Sequence, residues 1–178
     1  EAFGDAPAVR SATISPDGKT IAYITRTNGV DYLAKYDVAT GKNEPLASIP
    51  DIKSVGVDFV GNNFVVLRVA KLVRDIRVRD KYEETGAFAV NLTTRKIVQL
   101  LEGTEGLHPF QTNLGNIVGV DPGGGYVYMP AFMSRTGGDP SLDLLKVNLD
   151  TGRGVRVPGR PGTSSTRGWI MDDKANVV

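Results

Sequence analysis

The sequence predicts an all-β protein built of four-stranded antiparallel sheets, and two observations carry this prediction. Short runs rich in Val, Ile, Thr, Phe and Tyr, such as Thr20–Thr25 and Phe64–Val69, are separated by turns of Gly, Asn, Asp and Pro. Two kinds of turn also alternate along the chain, each at a regular interval. The 178 residues are 40% hydrophobic and 23% charged, which is a globular composition.

The first kind of turn is typified by SPDGK at Ser15–Lys19, which lies between two apolar strands. Equivalent turns read VGNN at Val60–Asn63, DPGGG at Asp121–Gly125 and MDDKAN at Met171–Asn176. Asp and Asn side chains bond to backbone amides two residues further on, Gly accepts positive φ, and Pro presets the corner. Each such turn therefore predicts a hairpin between the first two strands of a repeat.

The second kind of turn reads DVATGK, NLTTRK and NLDTGR. These turns start at Asp37, Asn91 and Asn148, so they recur every 54 to 57 residues. Each follows one apolar strand and precedes another short one. The repeat is therefore strand, turn, strand, connection, strand, turn, strand, which is the pattern of one β-propeller blade.

These repeats divide the chain into three blades and part of a fourth. Blade one is predicted at 9–49, blade two at 52–102 and blade three at 116–158, and the start of blade four at 165–178. Propellers typically close from about four to eight blades. We therefore expect residues 1–178 to be an incomplete N-terminal propeller belonging to a longer chain.

The opening EAFGDAPAVRSATISPDGKTIAYI, followed by YDVATGKNEPL, resembles the N-terminal propeller of the prolyl oligopeptidase family of serine peptidases. NLDTGR and the ending Trp169–Val178 resemble blade edges of the same kind, so the resemblance covers almost the whole chain. Bacterial dipeptidyl and acylaminoacyl peptidases belong to this family. The resemblance implies a periplasmic or secreted propeller that restricts the access of peptides to an α/β-hydrolase domain and docks that domain.

The same turn motifs occur in TolB-like periplasmic propellers, so a protein-binding scaffold is the alternative function. A hydrolase of sugars or lactones that uses the propeller itself is a third reading. Such a site needs converging acidic and histidine ligands, and the single histidine, His108, disfavours it. His108 is interpreted as a surface or inter-blade residue.

No serine-hydrolase nucleophile motif, GxSxG, occurs in the sequence. The closest stretch is GTSSTRG at Gly162–Gly168, where Thr166 stands in place of the second glycine. We therefore expect no catalytic residue in this chain. The triad of a parent peptidase would belong to a hydrolase domain outside it.

The charged stretch Arg74–Glu84 is too long for a simple turn. It is interpreted as a solvated extension or as a long hairpin that reaches towards a partner domain or the substrate. Within it, Glu83 and Glu84 resemble the paired glutamates with which dipeptidyl peptidases hold the free amine of a substrate. Two carboxylates beside one ammonium form a charge-assisted clamp, so Glu83 and Glu84 are the candidate substrate-binding residues.

Other functions are disfavoured by composition. With 21 basic and 20 acidic residues the net charge is +1, which argues against binding to nucleic acid. No apolar run approaches the ~20 residues of a membrane span. One histidine and no cysteine predict no metal site and no cofactor. Asp172 and Asp173 are interpreted as residues of a hairpin turn, and Gly123–Gly125 precedes a strand rather than the helix of a phosphate-binding loop.

Overall fold

The computed structural model describes residues 9–50, 53–75, 80–112 and 114–178, and every regular element within them is a β-strand. The strands form three four-stranded antiparallel sheets, in each of which sequence order is spatial order. The first sheet contains β1 (Val9–Ile14), β2 (Thr20–Thr27), β3 (Val30–Asp37) and β4 (Asn43–Ile49). The second contains β5 (Lys53–Val60), β6 (Phe64–Asp75), β7 (Asp80–Asn91) and β8 (Ile97–Gln99). The third contains β9 (Gly119–Val120), β10 (Tyr126–Arg135), β11 (Gly138–Asn148) and β12 (Gly154–Arg156).

Both kinds of predicted turn are held by their own side chains. Asp17 Oδ1 accepts a hydrogen bond from the backbone nitrogen of Lys19 at 3.1 Å. Asp37 Oδ1 accepts one from the backbone nitrogen of Thr40 at 2.8 Å, and this bond is the largest of the causes that lower the pKa of Asp37 below its usual value. The same turn recurs at Asn91 and Asn148, where an amide oxygen replaces the carboxylate.

Two hydrophobic cores join the sheets face to face. The core between the first and second sheets contains Ala22, Ile24, Leu33, Ile49, Val57, Val65, Leu67, Val69 and Val90. The core between the second and third sheets is larger and includes Val66, Ala89, Leu101, Val127, Met129, Leu145 and Val147. Each face-to-face pair is antiparallel sheet on antiparallel sheet, so consecutive sheets stack in chain order.

The first strands of the first and second sheets lie at the same edge of the stack, since β1 packs against β5. In a propeller the corresponding edge faces the central channel. Both kinds of predicted turn lie at one end of the sheets, because each connects the same ends of antiparallel strands. The hairpin between the second and third strands, and the linker to the next sheet, lie at the opposite end. We call this opposite end the linker end.

A polar residue on the third strand of each sheet accepts a hydrogen bond from the chain that follows that sheet. In the first sheet, the buried Asp31 accepts a hydrogen bond from Ser54 Oγ at 2.8 Å. In the second, Thr85 Oγ1 accepts one from the backbone nitrogen of Leu114 at 2.6 Å. In the third, the buried Asp143 accepts one from the backbone nitrogen of Gly162 at 3.1 Å. Asp31, Thr85 and Asp143 are named the latch residues below.

Residues 157–178 follow the third sheet as turns. A single isolated bridge pairs Met171 with Val177, around a turn in which Asp172 Oδ1 accepts the backbone nitrogen of Asn176 at 2.7 Å. The Trp169 side chain donates to the carbonyl oxygen of Leu142 at 3.0 Å, which fixes this segment to β11. The assignment of 165–178 to a fourth blade stays a prediction.

Candidate functional site

The second sheet carries a two-stranded arm at the linker end. Among the described residues, pairing between β5 and β6 reaches Lys53 opposite Ala70, and pairing between β6 and β7 continues further, from Lys71 opposite Glu84 to Asp75 opposite Asp80. The arm, defined as this last paired stretch of β6 and β7, is therefore roughly 15 Å long, at about 3.4 Å per residue. The described part of the charged stretch Arg74–Glu84 is thus a long hairpin; 76–79 lie outside the described residues.

The structure places the two candidate glutamates on opposite faces of this arm, because successive side chains of a strand alternate. Glu83 Oε1 lies 3.1 Å from Lys53 Nζ, on the face that continues the third-sheet side of β6 and β7, and both side chains are exposed. Glu84 is half-buried and shares its face with Tyr82, two residues away. The two carboxylates are therefore not brought together on one face. Their role in binding a substrate amine stays a prediction.

The root of the arm is fixed by an aromatic contact that the sequence did not reveal. The Tyr82 and Phe110 rings meet edge to face, with centroids 5.5 Å apart and an angle of 79° between their planes. His108 lies next to Phe110 at 5.4 Å, and its Nδ1 accepts the backbone nitrogen of Phe110 at 3.2 Å. Edge-to-face aromatic pairs stabilise by about 0.5–1.5 kcal/mol beyond the area they bury. Since isolated two-stranded hairpins are marginal in water, this contact helps to hold the arm in place.

Gln111 joins the arm to the third sheet. Its side-chain nitrogen donates to the carbonyl oxygens of His108 and Phe132, both at 2.8 Å, and its side-chain oxygen accepts the backbone nitrogen of Phe132 at 3.1 Å. Its own carbonyl oxygen accepts the backbone nitrogen of Thr85, on β7, at 2.9 Å. The side chain is buried and its polar atoms are satisfied by backbone. The position of the arm is thereby coupled to the third sheet. His108 lies, as predicted, in the linker between two sheets.

The DPGGG turn, whose run of glycines was compared with a phosphate-binding loop, contains an ion pair. Asp121 Oδ1 lies 2.7 Å from Lys146 Nζ, and a strand follows the glycines. Lys146 Nζ also lies 4.7 Å from the centre of the Tyr126 ring. The hydrogen bond between the two charged groups is the main cause that lowers the pKa of Asp121 and raises that of Lys146. A paired lysine of this kind is a fixed cation rather than a nucleophile.

The remaining sequence candidates have local partners. Both Asp172 oxygens accept hydrogen bonds inside the 172–176 turn, which lowers the pKa of this carboxyl, chiefly through the Asn176 side chain. Residues 163–166 form a turn in which Thr163 Oγ1 lies 2.9 Å from Ser165 Oγ. In the part of the chain that the structure describes, no three His, Cys, Asp or Glu side chains come together as metal ligands.

Comparison with solved structures finds two proteins that share part of their fold with this chain at a TM-score above 0.5. The acylaminoacyl peptidase of Pyrococcus horikoshii is 12% identical, with a TM-score of 0.54 over 87% of this chain and 26% of that protein. An acylaminoacyl peptidase in complex with Z-Gly-Gly-Phe-chloromethyl ketone gives the same identity and coverage with a TM-score of 0.53. TolB from Acinetobacter baumannii is 15% identical, with a TM-score of 0.49 over 94% of this chain and 36% of TolB. No protein-family model and no curated protein matches the chain.

This chain therefore spans about a quarter of the length of the two acylaminoacyl peptidases, whose coverage is 26%. At 12% identity the likeness shows the fold alone. The chain is an all-β protein of the β-propeller class, and its three four-stranded antiparallel sheets are propeller blades.

Proposed function

We propose that this chain is the non-catalytic propeller portion of a serine peptidase of the prolyl oligopeptidase family. In this role it gates the access of peptides and docks an α/β-hydrolase domain that lies outside the chain. Two observations support the family: the opening segment of the sequence, and the likeness of the fold to part of two acylaminoacyl peptidases. Fold likeness alone is compatible with many functions, so the proposal needs a feature specific to this chain.

The arm is the feature that carries the gating role. It extends at the linker end past the described part of β5, and its root is joined to the linker through Tyr82, Thr85 and Gln111. Its described part carries exposed charged side chains, and Leu72 is 60% exposed on the same face as Glu83. A projecting element with a fixed root can limit what passes the end of a propeller. It can also contact a domain docked there.

The hydrolase domain is tested by the coding sequence that continues beyond Val178. We expect roughly 400 further residues that contain a GxSxG motif, followed in order by Asp and His of the triad. The purified 178-residue chain is expected to leave chromogenic peptide substrates intact. Hydrolysis by this chain that a serine-directed inhibitor abolishes would contradict the assignment. A parent sequence without the motif would replace it with the TolB-like scaffold.

The glutamates are tested separately from the family. In the full-length enzyme, Glu83→Gln combined with Glu84→Gln is expected to lower kcat/KM at least about tenfold for peptides with a free amine, since charge-assisted bonds to the ammonium are lost. The rate for N-acetylated peptides is expected to stay unchanged, as is that of a control Glu102→Gln, at an exposed glutamate away from the arm. Equal loss for both kinds of peptide would exclude a role in amine recognition. Because the two residues face opposite sides, the single variants show which face binds.

A periplasmic or secreted location forms part of the proposal. The structure contains, among its described residues, no helix long and apolar enough to cross a membrane. Fractionation of cells that express the full-length protein, with periplasmic and cytoplasmic marker enzymes as controls, tests the location. Recovery with the cytoplasmic marker would contradict it.

A further inference from the structure

Arg68 occupies an unusual place in the second sheet. It lies on β6, opposite Gly56 of β5 and Ala87 of β7, on the face that packs against the third sheet. Its neighbours on that face, such as Val66 and Ala89, are buried and apolar. The Arg68 side chain nevertheless stays 34% exposed. It reaches towards β5, the strand at the edge that faces the propeller channel.

Two glycines make room for this side chain. A Cβ atom on Gly56 would lie 2.7 Å from Arg68 Nη2, closer than real Cβ contacts allow. A Cβ atom on Gly115 would lie 3.0 Å from Arg68 Cγ, and Gly115 also has a φ of +99°. The register of β5 shifts between Ser54 and Gly56, so the strand bulges where the guanidinium rests. Glycine inside a strand often marks such a close approach.

The guanidinium and its partner carboxylate border an open cavity. Arg68 Nε donates to Asp58 Oδ2 at 3.1 Å, and this is the only hydrogen bond of the guanidinium to the described residues. Asp58 is 47% exposed. The two side chains line a cavity of about 270 Å³ beside the channel edge, together with Phe59, Asn116, Ile117 and Val120. The cavity thus offers free N–H donors, a carboxylate acceptor, a side-chain amide and apolar surface.

We propose that this cavity binds a peptide group of an extended chain. The Arg68 Nη groups donate to the carbonyl oxygen of the peptide, and Asp58 accepts its N–H. The apolar side chains of the cavity contact the flanking residue. The Arg68–Asp58 pair has no net charge, so an isolated carboxylate is repelled by Asp58 and an isolated amine by Arg68. A neutral group that both donates and accepts hydrogen bonds matches the pair, and Asn116 adds a further polar group to the lining.

This inference deepens the proposed function, since a peptide-binding cavity at the channel edge places substrate inside the propeller. It rests on that function only for the source of the peptide. The cavity lies beside the middle of β5, away from the arm and its glutamates, and needs no hydrolase domain. Its failure would therefore leave the peptidase assignment standing. A parent without a GxSxG motif would likewise leave the cavity standing.

The test is a titration of the ¹⁵N-labelled chain, followed by NMR, with three probes: N-acetyl-alanyl-alanine methylamide, acetate and methylammonium. We expect saturable shifts at Gly56, Asp58 and Gly115 with the peptide amide, and no saturation with the two ions. Saturation by acetate as tight as by the peptide amide would overturn the proposal. So would the absence of saturation with the peptide amide.

Variants assign the binding to the guanidinium. Arg68→Gln is expected to weaken the peptide amide at least about tenfold, as charge-assisted bonds are lost. Arg68→Lys weakens it as well, because an ammonium lacks the planar fork. Arg153→Gln is the matched control, since Arg153 is exposed on a turn outside the cavity. Unchanged affinity in Arg68→Gln would exclude the assignment.

Asp58→Asn tests the proposed cavity independently if Arg68→Gln fails to fold. Asparagine retains an acceptor for the peptide N–H but leaves the cavity with a net positive charge. This variant is expected to gain saturable acetate binding that the wild type lacks, while its peptide affinity falls. An Asp58→Asn variant that still fails to bind acetate would contradict the proposed electrostatics.

Discussion

The latch at Asp31 yields the sharpest stability prediction. Its carboxylate is 5% exposed, accepts Ser54 Oγ at 2.8 Å, and lies 3.3 Å from Arg10 Nη1 and 3.6 Å from Arg26 Nε. Asp31→Ala removes all three interactions and leaves a hydroxyl and two guanidinium groups without this partner. The perturbation loosens the first sheet from the second, because Ser54 belongs to β5.

The magnitude follows from the exposure of the partners. Breaking a fully buried ion pair costs about 3–5 kcal/mol. Here the Arg10 and Arg26 side chains are 27% and 44% exposed, so water recovers part of their solvation. We therefore expect Asp31→Ala to lower the free energy of unfolding by about 2 kcal/mol, of which about 1 kcal/mol is the hydrogen bond to Ser54. For a chain of this length, that corresponds to a fall of roughly 4–8 °C in Tm.

The assay is urea denaturation at pH 7, followed by circular dichroism, for Asp31→Ala, Ser54→Ala and the double variant. The cycle isolates the Asp31–Ser54 interaction, with an expected coupling of about 1 kcal/mol. Asp139→Ala, at an exposed aspartate of β11, is the control and is expected within about 0.5 kcal/mol of the wild type. A coupling near zero would refute the latch, as would an Asp31→Ala variant as stable as the control.

Three further predictions concern the other sheets. Thr85→Val removes the hydroxyl that accepts a hydrogen bond from Leu114 N at 2.6 Å, so we expect the free energy of unfolding in urea to fall by about 1 kcal/mol. Thr85→Ser keeps the hydroxyl and should have the stability of the wild type. A valine variant as stable as the wild type would argue against the latch. Gly162→Ala places a Cβ against the backbone of β11, so we expect the free energy of unfolding to fall by more than about 2 kcal/mol. The control Gly168→Ala, whose Cβ would lie in open space, should be neutral. Equal effects of the two variants would exclude steric strain at Gly162. The lowered pKa of Asp121 gives stability that is present above pH 3.8 and lost on acidification, and the raised pKa of Lys146 gives stability that is present below pH 10.5 and lost above it. The urea midpoint should therefore fall less at both extremes in Lys146→Met, and an unchanged pH profile would contradict the pair.

The turns could be predicted because their physics is local. Asp37 and Thr40 are three residues apart, and a bond over that spacing needs no contact with a distant part of the chain. The recurrence of the same turn at Asn91 and Asn148 then sets the number and order of the strands. The latch residues could in principle also be recognised in the sequence. Asp31 and Thr85 lie six residues before Asp37 and Asn91, and Asp143 lies five before Asn148, so a polar residue recurs inside an apolar strand.

The arm was predicted only in part. A long charged insertion between two strands indicates a hairpin or a solvated loop, and the sequence does not distinguish them. Strand alternation then decides the geometry of Glu83 and Glu84, since neighbours on a strand face opposite ways. The likeness to paired glutamates rested on adjacency in sequence. In a strand, adjacency separates two side chains, and only residues two apart, such as Tyr82 and Glu84, share a face.

The Arg68 cavity could not be predicted, because it depends on contacts between residues distant in sequence. Gly56 lies on another strand and Gly115 in the linker to the next sheet, and both matter only through the side chain that lies against them. A glycine in a strand indicates a bulge or a close approach. It does not say what approaches: Gly86, on β7, meets only Val69, at an ordinary 3.7 Å. The local rules that determine the hairpins therefore do not predict the contacts at the channel edge. There, the face-to-face packing of two sheets decides which polar groups meet.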